Sequence, residues 1–267
     1  FPHACMRPPG PLRYGIVADD MNDHAYTCAF VAASEFNADH FLKLWKEGSF
    51  HYVVAVDAGF SHLKSIGCVP NYVLGDFDSL GYVPNGDNVE VHPVHKDASD
   101  LELAFEFALG WGFRSVVVYG ALGGRLDHTV AALQTSARFA EAGMEVTLVG
   151  MQSAVRILVG PASFAFPPLE KGTVSVFSAT DVSLGVTEWG LEYPLENARL
   201  ANRTTLGLSN ELQGAPAGIS LLEGTLYVFY PLEAFERHPE IDAIGVSCLE
   251  GWERVLWAYA KQFNITK

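Results

Sequence analysis

The sequence predicts an α/β protein with a mostly parallel sheet flanked by helices, followed by a smaller all-β sandwich domain. Three observations predict it. Between residues 28 and 150, short β-branched runs alternate with helical patterns, the order of a parallel sheet covered on both faces. After Gly150 the texture changes to short apolar runs punctuated by Gly and Pro, as in a small β-sandwich. At 267 residues the chain also exceeds the usual size of a single core, which favours two units. The expected division is 1–150 for the α/β domain and 151–267 for the β domain with a C-terminal extension.

Taken in order, the runs 28–33, 52–56, 72–74, 115–119 and 145–149 are apolar on both sides of the pleat and read as buried strands. Between them, 39–46, 61–66, 100–109 and 127–142 carry helical periodicity. The helix at Asp100 has a start signal: Ser99 can cap it, and Glu102 completes an S-x-x-E capping box. In the second half, 155–159, 173–178, 191–193, 218–222 and 225–230 read as strands, and 252–262 as a closing amphipathic helix.

Composition narrows the function. A formal charge of −14 and a pI near 5.0 disfavour nucleic acid and anionic membrane surfaces, which are bound through Lys and Arg. Cys5, Cys28, Cys68 and Cys248 form no C-x-x-C pair, so neither a zinc site nor a disulfide framework is suggested and a reducing, cytoplasmic setting is expected. No apolar run is long enough to span a bilayer. There is no G-x-x-x-x-G-K-[ST] loop and no G-x-G-x-x-G fingerprint, which disfavours a P-loop kinase or a nicotinamide enzyme.

The chemistry concentrates in three acidic clusters placed where strands end. Asp57 closes one predicted strand, Gly75-Asp76-Phe77-Asp78-Ser79 follows another, and Lys96-Asp97-Ala98-Ser99-Asp100 leads into a helix. In parallel sheets such carboxyl ends form the ligand edge. An extended Asp76-Phe77-Asp78 would send both carboxylates to one face and Phe77 into the core. Asp76, Asp78 and Asp100 then offer the hard oxygens that Mg²⁺ prefers alongside substrate phosphates. A second element, Tyr119-Gly-Ala-Leu-Gly-Gly-Arg-Leu-Asp-His128, is a strand-to-helix turn. Gly120, Gly123 and Gly124 permit close backbone approach to phosphate, Arg125 supplies a planar cation, and Asp127 and His128 open the helix. His128 is either a proton carrier or a structural helix-start residue.

These blocks, together with Asp57-Ala-Gly-Phe-Ser-His-Leu63, resemble the thiamine pyrophosphokinase family in order and spacing. Val186-Thr-Glu-Trp-Gly-Leu-Glu-Tyr-Pro-Leu195 and Gly207-Leu-Ser-Asn210 resemble its thiamine-binding β domain, in the bacterial-like form. The resemblance implies a homodimer with active sites between subunits, and transfer of the pyrophosphoryl group of ATP to the thiamine hydroxyl, giving thiamine diphosphate and AMP. It implies Mg²⁺ on Asp76, Asp78 and Asp100, and ATP against Asp57, Gly59, Lys96, Asp97, Gly120, Gly123, Gly124 and Arg125. Thiamine is expected against Asp127, His128, Ser209 and Asn210, with Asp127 positioning the acceptor or serving as base. The turn Val31-Ala-Ala-Ser-Glu-Phe-Asn37 departs from the family's more Gly-rich pattern. Two other readings are a different alcohol acceptor, such as a hydroxymethyl-pterin, and a non-catalytic nucleotide or thiamine sensor.

Overall fold

The computed structural model describes residues 26–93 and 97–235. The expected helix at 252–262 and Lys96 lie outside them. Strands β1 (Thr27–Val31), β2 (Tyr52–Val56), β3 (Tyr72–Gly75), β4 (Val89–Val91), β5 (Ser115–Tyr119) and β6 (Glu145–Val149) form a parallel array. Helices α1 (Ala38–Lys46) and α2 (Gly59–Ser65) cover one face, and α3 (Asp100–Gly110) and α4 (Leu126–Glu141) the other. Each face has its own core, one around Phe41, Leu63 and Tyr119 and the other around Phe30, Phe105 and Phe139. Burial on both faces is why β1, β2 and β5 are apolar at every position except the first residues of β1 and β5, Thr27 and Ser115.

The sheet does not stop at Gly150. Strands β7 (Ser153–Val159), β9 (Thr173–Ser178), β12 (Gly207–Glu211) and β14 (Thr225–Pro231) extend it antiparallel, in the order β12-β9-β14-β7-β6-β5-β1-β2-β3-β4. A second sheet, β11 (Leu195–Ala201), β10 (Val182–Trp189), β13 (Ala217–Leu221) and β8 (Ala162–Phe166), covers that extension. Between the two lies a third core, built on Phe166, Leu200, Leu212, Ile219 and Leu226. The sandwich therefore shares one of its two sheets with the α/β part, and the turn 150–152 joins neighbouring strands of that sheet.

Two local expectations are corrected. Residues 191–193 are not a strand; Leu191 makes one isolated bridge to Leu212 within the turn between β10 and β11, where Gly190 is left-handed (φ 69°) and Pro194 ends the run. The capping box at α3 forms only in half. Ser99 accepts the Glu102 N–H at 3.2 Å, while the Glu102 carboxylate pairs with Arg138 of α4 and so links the two helices.

Candidate active site

Chain order runs outward from β1 to β4, then returns to the other side of β1 as β5. Loops leaving β1 and β5 therefore diverge at a topological switch point, the crevice where open α/β sheets bind ligands. The β1 and β5 loops are joined by hydrogen bonds from Ala32 N–H to Tyr119 O (2.8 Å), from Ser34 N–H to Gly120 O (2.7 Å) and from the Ser34 hydroxyl to Gly123 O (2.7 Å). Only glycine fits at Gly120, where a Cβ would stand 2.2 Å from the Ala32 carbonyl oxygen. At Gly123 a Cβ would meet the Glu35 carboxylate at 2.5 Å. In place of a Gly-rich β1 turn, this chain thus lays Ser34 and Glu35 against the glycines of the β5 loop. Gly59 has a packing role: its Cβ position is 1.8 Å from Val31 O, so glycine lets α2 start against the end of β1.

One strand further out, Asp57 directly follows β2 and Asp76 directly follows β3. The pairing Val56 with Leu74, continued by Asp57 N–H to Leu74 O at 2.8 Å, sets these residues side by side. Gly75 permits that approach, since a Cβ there would be 2.9 Å from Asp57 Cα. Asp57, Asp76 and Asp78 each place a carboxylate oxygen within 4.8 Å of the others. Asp100 begins α3 and is not a member of that trio, whereas Asp57, expected on the nucleotide, is.

The backbone that builds this trio is not the extended one expected. Phe77 is left-handed (φ 59°) and buried, and Asp78 N–H donates to Asp76 Oδ1 at 3.2 Å. The segment is a tight turn pinned by its own first carboxylate, which still brings both acids to one side with Phe77 in the core. Asp57 is also left-handed (φ 49°). Among the described residues four non-glycine residues have positive φ, and three of them, Asp57, Phe77 and Ser209, fall in the blocks singled out from sequence. Such strain persists where surroundings enforce it, commonly at ligand sites.

The trio fits a divalent cation. Asp57 Oδ1 is buried and has no hydrogen-bond partner, and a buried anionic oxygen beside two further carboxylates is costly unless a cation joins them. The chemistry of the set, all hard carboxylate oxygen, suits Mg²⁺.

At the start of α4, Arg125 holds Asp127 through two bonds, Nε to Oδ1 at 3.2 Å and Nη2 to Oδ2 at 2.6 Å. Both side chains are exposed. Arg125 keeps the Asp127 carboxyl down at about 2, well below the ordinary range. A carboxylate so acidic is a weak base at neutral pH, so Asp127 is better suited to orienting Arg125 than to taking a proton. His128 and Asp97 are exposed.

In the β domain, Ser209 and Asn210 differ sharply. Ser209 is exposed, with its N–H donated to Ser175 Oγ at 3.0 Å. Asn210 is buried, and its amide is fully occupied. Its Nδ2 donates to Glu188 Oε2 (2.7 Å) and Tyr193 O (2.7 Å), and its Oδ1 accepts from Tyr193 N–H (2.9 Å) and Glu211 N–H (3.0 Å). Asn210 thus locks the 190–194 turn onto β12. That turn projects the Tyr193 side chain, 64% exposed. Sequence reasoning did not single out Glu188, although an acid at an inward strand position is itself a warning sign. Trp189 lies over Gly218 of β13, where a Cβ would meet its ring at 2.5 Å.

Fold and site together define an α/β protein whose sheet presents carboxylates and a glycine-rich turn at its carboxyl edge and continues into a β-sandwich. Residues 41–148 match the family described as thiamin pyrophosphokinase, catalytic domain. The chain is similar to the thiamine pyrophosphokinase of Bacillus subtilis strain 168, 27% identical over 187 residues that make up 65% of this chain and 84% of that one. It is also similar to thiamin pyrophosphokinase 1 of Caenorhabditis elegans, 28% identical over 63% of this chain and 74% of that one. The crystal structure of the Bacillus subtilis thiamine pyrophosphokinase shares the fold, with a TM-score of 0.64 at 23% identity over 77% of this chain and 98% of that one. The chain is thus similar to thiamine pyrophosphokinases, and the family match covers its α/β part.

Proposed function

We propose that this enzyme transfers the pyrophosphoryl group of ATP to the hydroxyl of thiamine, releasing AMP. The observation that carries the reading is the carboxylate trio beside a glycine-rich, Arg-bearing turn at the sheet's switch point, in a chain whose residues 41–148 match the thiamin pyrophosphokinase catalytic domain. The thiamine hydroxyl oxygen bonds to the β-phosphorus as the bond from that phosphorus to the oxygen bridging the α-phosphate breaks. AMP leaves with that oxygen and its charge, and the hydroxyl proton passes to solvent.

When bound on Asp57, Asp76 and Asp78, Mg²⁺ would neutralise polyphosphate charge and fix its oxygens. Asp100, at the N-terminus of α3, would reach it directly or through water. The backbone of Gly120–Gly124 would hold the phosphates, and Arg125, steadied by Asp127, would offset the charge growing on the leaving oxygen. Phosphoryl transfer depends mainly on such positioning, so no strong general base is required. Ser209 would contact the acceptor. A homodimer would complete the site, a reading supported by Leu126 and Val130, one turn apart and both exposed at the start of α4.

The test is AMP release from ATP and Mg²⁺ with thiamine present, absent or replaced by a pterin alcohol, with EDTA as control. Thiamine-dependent AMP that EDTA abolishes is expected. Turnover with the pterin alone would move the acceptor assignment, and nucleotide binding without turnover on either would turn the reading into a sensor.

A further inference from the structure

Glu188 is a side chain for which the chemistry above has no use. It is the last residue but one of β10, paired on one side with Leu195 of β11 and on the other with Ile219 of β13. Its side chain is 1% exposed and enters the sandwich core. A carboxyl group there is expensive unless something compensates it, and the described residues offer only one bond, from Asn210 Nδ2 to Oε2. Oε1 is buried without a partner. An aliphatic residue would fill the position at lower cost, so packing does not explain the acid.

What the bond achieves follows from the valence of the Asn210 amide. An amide nitrogen has two N–H donors and its oxygen two acceptor sites. Three of those four bonds go to backbone, two to Tyr193 and one to Glu211. Glu188 takes the fourth, so that the amide keeps no unused donor and its orientation is held from the strand side as well as by the backbone. A reversed amide would set its NH₂ against the Tyr193 and Glu211 N–H groups and its oxygen against the Tyr193 carbonyl. The correct orientation holds two features of the domain surface: the turn bearing the exposed Tyr193, and the β-bulge between Gly207 and Asn210 that carries Ser209 in its left-handed conformation.

We propose that Glu188 is a positioning residue for the acceptor side of the site, acting through Asn210 to hold Ser209 and the 190–194 turn in one arrangement. The inference rests on the reading of Ser209 as an acceptor contact. Burial pushes the Glu188 carboxyl up to about 7, so a neutral side chain of the same shape serves equally, and Gln presents the same carbonyl acceptor to Asn210.

The experiment compares Glu188→Gln and Glu188→Ala in steady-state kinetics and in backbone hydrogen exchange. Glu188→Ala is expected to raise the thiamine KM roughly tenfold, the scale of one lost buried hydrogen bond, with the ATP KM unchanged. Exchange should speed up in peptides covering 190–194 and 207–211 and not in the parallel strands. Glu188→Gln should restore both readouts. An unchanged thiamine KM and exchange pattern in Glu188→Ala would overturn the proposal, as would a uniform loss in both KM values and kcat that Gln does not rescue. If the parent enzyme releases no thiamine-dependent AMP, the acceptor reading fails by itself, and the exchange data still decide whether Glu188 orders these segments.

Discussion

Asp57 combines three costs in one residue: a left-handed backbone, a buried unpartnered oxygen, and two carboxylates close by. Asn tolerates the left-handed region and keeps the shape without the charge. Asp57→Asn is therefore expected to raise the melting temperature of the metal-free enzyme by a few degrees while lowering turnover, and calorimetry in EDTA beside an AMP assay reads both. A melting temperature that falls would mean that the charge is compensated inside the protein. For Asp78, exposed and bonded to the Ser79 hydroxyl, Asp78→Asn should cost about 100-fold in turnover, the scale of one lost electrostatic contact to the transition state, with unaltered circular dichroism. Wild-type rates in that variant would remove Asp78 from the metal site. Ser209 needs two variants because its φ is 59°. Ser209→Ala removes the hydroxyl and keeps the Cβ with its left-handed strain, whereas Ser209→Gly removes the hydroxyl and relieves roughly 1 kcal/mol of that strain. A higher thiamine KM in both assigns the effect to the hydroxyl; a rise in Gly alone assigns it to the backbone.

At the scale of elements, the contact between β1 and α2 is set by one missing atom. Gly59→Ala would push a Cβ to 1.8 Å from the Val31 carbonyl, both of them backbone, so no rotamer change can relieve the clash. Loss of several kcal/mol or failure to fold is expected. Gly110 ends α3 with open space around its Cβ position, so Gly110→Ala should stabilise by up to about 1 kcal/mol; urea titration of the two variants tests the contrast. The same elements explain what sequence reading could reach. Strands β2, β5 and β6 were legible to the residue because burial on both faces leaves a run of β-branched and apolar residues, broken only by Ser115, Glu145 and Thr147. Strands β10, β11 and β12 were not, because bulges between Ser183 and Val186 and between Gly207 and Asn210 break the alternation, and in β11 only Leu200 is buried. The turn at Phe77 was misread as extended, since a bulky residue with positive φ has no sequence signature. The gathering of acids after β2 and β3 was legible as a candidate site; the place of Asp57 in the trio depended on strand register, which composition does not reveal.

For the whole molecule, the buried acid in the sandwich makes stability depend on pH in a direction opposite to that of most carboxylates. The Glu188 carboxyl is raised from 4.5 to about 7, mainly by desolvation, with the Asn210 bond acting the other way. In the unfolded chain it titrates normally. Between those two values the native state therefore holds the proton more tightly than the unfolded state, and folding stability falls as pH rises. The contribution is fully present below about 4.5 and lost by about 7, and integrated over that window it reaches up to roughly 3 kcal/mol. Asp127 works in the usual sense: held down to about 2 by Arg125, its contribution is present above its ordinary value and is lost as pH falls toward 2, outside the Glu188 window. Because the sandwich shares its larger sheet with the α/β part, loosening around Glu188 is expected to lower the cooperative unfolding midpoint of the protein rather than release one domain alone. Urea unfolding from pH 4.5 to 7 should show the stability difference between Glu188→Gln and wild type widening in favour of Gln as pH rises. Parallel curves across that window would mean that Glu188 titrates alike in both states and that its burial is relieved by an interaction outside the described residues.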